Sequence, residues 1–269
     1  MELAVETRGL TRSFGSFRAV DGIDLAVPAG SFYGFLGPNG AGKSTTIKCL
    51  TGLLRPDGGS MRILGIDPIA DPVAVKRRIG VVPEDLALFD RLTGPEYLSF
   101  VGRMYGLSRD VATTRAAELL DFMGLAGDSK KLIADYSHGM KKKVSLAAAL
   151  IHTPKLLFLD EPFEGVDAIA ASTMKRVLQS MISRGATIFL TSHVLDIVER
   201  LCSHVGIISE GRLVAEGSLD ELREGVALDR EANGEAPRTL TLEEIFVEIV
   251  GGRRPGGRLA EHSLGWLVE

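Results

Sequence analysis

Apolar and polar positions alternate along "LAVETRGLTRSF" and "AVDGIDLAV", with short turn residues between them, a period that predicts antiparallel strands. "SFYGFLGPNGAGKSTTIKCLTGLL" then reads as an apolar strand, a glycine-rich turn and a helix with Ile47, Leu50 and Leu53 on one side. "RPDGGSMRILG" predicts a turn and a strand, and "RRIGVVPEDL" a second buried strand. From about Thr93 to Thr153 the periodicity is helical throughout. A helical segment is therefore inserted between two strand-bearing parts.

Strand character returns in "KLLFLDEP", "ATIFLTSH" and "HVGIISEGRLVAEG", with the helical stretches "IAASTMKRVLQSMIS" and "VLDIVERLC" between them. Such alternation predicts an α/β domain around a parallel sheet covered on both faces. Beyond Gly225 the pattern changes: "DREANGEAPRT" is polar and turn-rich, "LTLEEIFVEIV" predicts one amphipathic helix, and "GGRRPGGR" reads as a flexible linker ahead of a tail bearing Trp266. The expected organisation is a main domain over 1–225, with the helical subdomain at about 93–153, and a C-terminal extension over 226–269.

The 269 residues are 45% hydrophobic and 25% charged, enough to bury a sizeable core. A net charge of -4 argues against a surface built to bind nucleic acid, so no nucleic-acid partner is expected. Cys49 and Cys202 each sit in an apolar stretch, which suits buried thiols in a reducing compartment. No signal peptide is evident in "MELAVETRGL", and no run approaches the roughly 18 to 20 apolar residues that cross a bilayer. A cytoplasmic location is expected.

The strongest chemical signal is Gly37-Pro-Asn-Gly-Ala-Gly-Lys43-Ser44, a G-x-x-x-x-G-K-[ST] loop between a predicted strand and helix. Its glycines let backbone N–H groups converge on phosphate, and the helix start adds positive potential. Gly37, Asn39, Gly40, Gly42, Lys43, Ser44 and Thr45 are the candidate phosphate-binding residues, with Lys43 on the β- and γ-phosphates and Ser44 on Mg²⁺. "LLFLDEP" is an apolar strand ending in two carboxylates, which places them at the sheet's carboxyl edge beside that loop. Asp160 is the candidate Mg²⁺ ligand, and Glu161 the group that polarises the attacking water. ATP hydrolysis with Mg²⁺ is the expected chemistry.

In "YSHGMKKKVSLAAAL", upstream of Asp160, Tyr136-Ser137-His138-Gly139-Met140 resembles the L-S-G-G-Q signature of the ATP-binding cassette (ABC) family, keeping the serine and the second glycine. That resemblance covers roughly residues 3–250. It implies a P-loop nucleotide hydrolase core of RecA type, with an antiparallel β subdomain and an inserted α-helical subdomain. It also implies a role for Phe14 in stacking on adenine, for Glu84 at the position where the family usually has a glutamine sensing Mg²⁺ and the transport partner, for Asp167 in a D-loop, and for His193 on the γ-phosphate. Two cassettes of this family pack head to tail, so Ser137 and Gly139 would meet ATP held by the opposite protomer of a homodimer. "EDLALFDRLTGPEYLSFVGRMYGL" is similar to the ATP-binding subunits of bacterial drug and antibiotic exporters, whose permeases are separate membrane chains. Peripheral attachment to the inner face of the membrane would follow, with Leu86 to Tyr105 beside the permease. A soluble cassette ATPase acting on ribosomes or DNA is the alternative, disfavoured by a single cassette and the lack of sustained heptads.

Three lysines, Lys141 to Lys143, follow the signature, although cations are unfavourable at a helix N-terminus. Successive helix residues are about 100° apart, so at most one or two can add to the field on a phosphate. The remainder are expected to form a solvated face.

Overall fold

A computed structural model describes residues 2–232 and 240–251, without the side chains of 227–232. Strands β1 (Leu3–Phe14) and β2 (Phe17–Pro28) pair antiparallel, and β1 pairs again with β4 (Gly58–Ile63), giving a three-stranded sheet. Between them come β3 (Phe32–Leu36), all buried, and α1 (Lys43–Leu50). The helix ends at Leu50 with Thr51 as its cap, so Leu53, expected on the helix's apolar side, lies beyond it and is exposed. Next are the short α2 (Pro72–Lys76), capped by Asp71 with Pro72 in its first turn, and β5 (Ile79–Val82).

The helical insertion consists of α3 (Gly94–Met104), α4 (Arg109–Phe122) and α5 (His138–Leu150). Thr93 and Glu96 close a capping box on α3, and Ser108 caps α4, which satisfies amide groups that a helix start leaves unpaired. The chain then builds the second sheet from β6 (Leu156–Asp160), α6 (Ala168–Ser183), β7 (Thr187–Ser192), α7 (Leu195–Leu201), β8 (His204–Ser209) and β9 (Arg212–Ser218). Its order is β5-β6-β7-β3-β8-β9. The first five strands run parallel, whereas β9 returns antiparallel to β8. "HVGIISEGRLVAEG" thus forms an edge hairpin that adds one antiparallel strand to the parallel sheet; Glu210 and Gly211 turn it with φ of 50° and 78°.

The second sheet separates two cores. Tyr33, Phe35, Phe158 and Phe189 point to the side of α1 and the antiparallel sheet, while Leu36, Leu157, Leu159 and Leu190 face α5, α6 and α7. Alternate residues of one buried strand serve opposite faces, which is why these strands are continuously apolar. Cys49 and Cys202 are buried free thiols, one in each core. Helix α8 (Leu219–Ala232) runs through Gly225, the expected boundary, so 229–232 of the predicted turn-rich stretch are helical. Helix α9 (Leu242–Gly251) sends Leu242 and Ile245 into the second core. The predicted linker from 252 on and Trp266 lie outside the described residues.

Candidate functional site

The loop after β3 and the C-terminal ends of β6 and β7 meet at one edge of the second sheet. An open cleft of about 400 Å³ there is lined by Asn39, Gly40, Gly42, Lys43, Ser44 and Thr45, by Glu84, Glu161 and His193, and at its mouth by Phe14. Gly42 caps α1 at φ 107°, and a Cβ there would strike the Ala19 carbonyl, so only glycine fits. Gly37 stands behind the loop against Ile208. Its carbonyl accepts from Lys43 Nζ at 2.8 Å, with the Pro38 carbonyl at 3.3 Å. The lysine head is thereby held inside its own loop, 6% exposed.

Ser44 Oγ lies 3.2 Å from Asp160 Oδ1 and 3.4 Å from Glu84 Oε2. Asp160, buried, also accepts from Thr191 Oγ1 at 2.6 Å. The same Thr191 oxygen accepts the Glu161 N–H at 3.1 Å, so one hydroxyl holds both acids of the "DE" pair. Register puts it there, because Asp160 and Thr191 are cross-strand partners. Sequence reasoning missed Thr191; its signal was its place just before His193 at the end of a neighbouring apolar strand. It also missed Phe17, which pairs with Phe14 across the β1–β2 turn and joins the cleft wall, and Glu164.

Glu161 is buried with φ 45°, a backbone region costly for a non-glycine residue. Its Oε2 is 3.0 Å from His193 Nδ1 and 3.3 Å from the His193 amide N. Its Oε1 lies 3.6 Å from Lys43 Nζ, beyond hydrogen-bond reach, and is buried without a hydrogen-bond partner. One oxygen is thus anchored by His193 while the other lacks a hydrogen bond, an arrangement that suits a proton acceptor once Lys43 turns away and water reaches it.

Phe14 is 46% exposed, with the Arg12 guanidinium 4.9 Å from its ring centroid and Arg12 tied to Asp57 at 2.8 Å. Ser137, Gly139 and Asp167 do not line this cleft. Ser137 caps α5, its Oγ accepting the Met140 N–H at 3.3 Å, and Asp167 caps α6 through the Ile169 and Ala170 amides. Those bonds, Ala170's foremost, hold the Asp167 carboxyl below its usual range. A Cβ on Gly139 would sit 3.4 Å from Asp167 Oδ2, so the two helix starts lie side by side.

The lysine run is not the solvated face expected. Lys141 Nζ is 3.6 Å from Asp90, Lys143 donates to the Met123 carbonyl at the end of α4 at 2.5 Å, and Lys142 is 1% exposed. Burial lowers the Lys142 pKa, opposed by the carboxylates of Glu164, Glu84, Asp160 and Glu161.

A phosphate-binding loop feeding a helix, with an acidic strand end and a second carboxylate beside it, defines a P-loop nucleoside triphosphate hydrolase. The comparisons narrow this class. Residues 20–164 match the model of the ABC transporter family. The daunorubicin/doxorubicin resistance ATP-binding protein DrrA of Streptomyces peucetius is 42% identical over 248 residues, 89% of this chain and 75% of that protein. The bacitracin transport ATP-binding protein BcrA of Bacillus licheniformis is 40% identical over 224 residues, 83% of this chain and 72% of its own length. A solved structure described as an ATP-binding subunit of an ABC transporter superposes with a TM-score of 0.83 at 32% identity, covering 91% of this chain and 99% of its own. The chain belongs to the ABC transporter family, as an ATP-binding subunit that hydrolyses ATP. Among the described residues no helix is long and apolar enough to cross a membrane.

Proposed function

We propose that the chain powers export of drug-like or antibiotic compounds through a separate membrane permease, as a homodimer attached to the inner face of the membrane. The relatives named for daunorubicin/doxorubicin resistance and bacitracin transport support the substrate class. The observation that carries the dimer is that Ser137 and Gly139 stand outside their own chain's cleft, at a helix start suited to an anion. In the proposed pair they meet the γ-phosphate in the partner's cleft, and Asp167 lies at the same seam.

Within one cleft, Phe14 stacks on the adenine and Lys43 leaves its loop carbonyls for the β- and γ-phosphates. Ser44, Asp160 and Glu84 offer an all-oxygen donor set that fits Mg²⁺, which takes one or two carboxylates plus phosphate oxygens. When bound, that ion neutralises charge developing on the phosphates. Glu161 Oε1 accepts the proton of the attacking water, and His193 keeps Oε2 in place while facing the γ-phosphate. Phe89, Phe100, Met104 and Tyr105 are exposed on and beside α3, in the stretch assigned to the permease contact. We assign the main domain to 1–225 and treat 226–269 as an extension, with α8 spanning the join.

Co-purification with a polytopic membrane chain encoded beside it, followed by ATPase assays in lipid, tests the reading. ATP turnover stimulated by an anthracycline or a peptide antibiotic is expected. Turnover by the assembled complex that no such compound alters would contradict the export assignment.

A further inference from the structure

Lys142 is buried in α5, and no step of the hydrolysis above uses it. Its Nζ donates to the backbone carbonyl of Glu161 at 3.2 Å and to that of Glu84 at 3.3 Å. These two residues stand on separate loops, one after β5 and one after β6. Lys141 and Lys143, its neighbours, go to Asp90 and to the Met123 carbonyl, so neither can replace it.

Glu161 needs such a hold. Its φ of 45° is not self-sustaining for a residue with a Cβ and persists only where surrounding contacts fix it. Its N–H is bound by Thr191, Oε2 by His193, and its carbonyl by both the Glu164 N–H at 3.3 Å and Lys142 Nζ, with Lys43 3.6 Å from Oε1. Thr191 and His193 belong to β7 and the loop after it, elements of the core. Lys142 alone of these partners comes from the helical insertion.

We propose that Lys142 is a positioning residue for ATP hydrolysis, holding the backbones of Glu161 and Glu84 from the helical insertion so that the Glu161 carboxylate stays aimed into the cleft. A movement of α5 relative to the core is thereby transmitted to the water-activating acid of the same chain. The proposal rests on Glu161 acting as the base, and the experiment separates the two.

Steady-state ATPase kinetics and nucleotide binding are measured for Lys142→Met, for Glu161→Gln and for the double variant. Lys142→Met lowers kcat roughly tenfold to a hundredfold, the scale of a misplaced catalytic group. It leaves KM and nucleotide affinity for ATP unchanged, because the phosphate loop is intact. In the Glu161→Gln background it adds no further loss, since both changes act through one carboxylate. Lys142→Gln, which keeps a donor for one carbonyl, carries the same cycle where the methionine variant does not fold. Equal losses in both backgrounds, or a loss carried in KM, overturn the proposal. Wild-type turnover by Glu161→Gln alone overturns the reading beneath it.

Discussion

Thr191→Val replaces a hydroxyl by a methyl of nearly the same shape at a position with no exposure, so its effect is almost wholly that of two hydrogen bonds. The hydroxyl proton goes to Asp160 Oδ1 at 2.6 Å rather than to the Leu159 carbonyl at 3.4 Å. A hydrogen bond to a charged group contributes about 1.5–3 kcal/mol net, and an orphaned buried N–H, here that of Glu161, costs about 1–3 kcal/mol. Burial of the new methyl offsets part of this, leaving a destabilisation of about 2–5 kcal/mol. At about 2–4 °C per kcal/mol for a chain of this size, a loss of about 3 kcal/mol lowers Tm by about 6–12 °C. Thermal unfolding by circular dichroism reads this, with Thr191→Ser as the control that keeps the hydroxyl. Turnover should fall as well, because both acids of the site lose a support. A Tm within about 1 °C of wild type would refute the assignment of these bonds.

Lys43→Ala should abolish ATP hydrolysis measured by phosphate release, and normal turnover would remove the phosphate-loop assignment. Ser137→Ala removes the α5 cap and should cost about 1 kcal/mol in urea unfolding; in the dimer it should also slow hydrolysis by more than that loss of stability explains. His152 stacks on Tyr105, its Nε2 is 2.9 Å from the Ile79 carbonyl, and its Nδ1 is buried without a partner. Burial lowers its pKa below 6.5, against the Ile79 bond and with help from Arg115. The unfolded chain therefore binds the proton more readily, so stability is lost as pH falls from 6.5 toward the folded pKa. Denaturation midpoints from pH 8 to 5 should show this loss, and His152→Gln should flatten it. An unchanged slope would count against His152 as the source.

Much of the fold was legible because its signals are local. The phosphate loop needs a strand, glycines and a helix in immediate succession, and "LLFLDEP" states both its burial and its acidic end within a few residues. What escaped the sequence depends on elements that meet only in space. Lys142 reads as one cation in a polar run until two loop carbonyls, 58 and 19 residues away along the chain, are brought to its Nζ. Thr191 acquires its role through the register of β6 and β7, which no single strand encodes. Leu53 fits the helical period of Ile47 and Leu50, yet α1 stops before it, with Gly52 at φ 70° just beyond the cap. The β8–β9 turn was hidden because Glu210 takes a left-handed conformation that its side chain does not advertise.

In the proposed mechanism two copies close around ATP, and Glu161 is needed to reopen them. The direct measurement is the solution mass of Glu161→Gln by light scattering, with and without ATP and Mg²⁺. The predicted result is a monomer without nucleotide and a stable dimer at saturating ATP, while Lys43→Ala in the same background stays monomeric. A Glu161→Gln protein that binds ATP and remains strictly monomeric would contradict it.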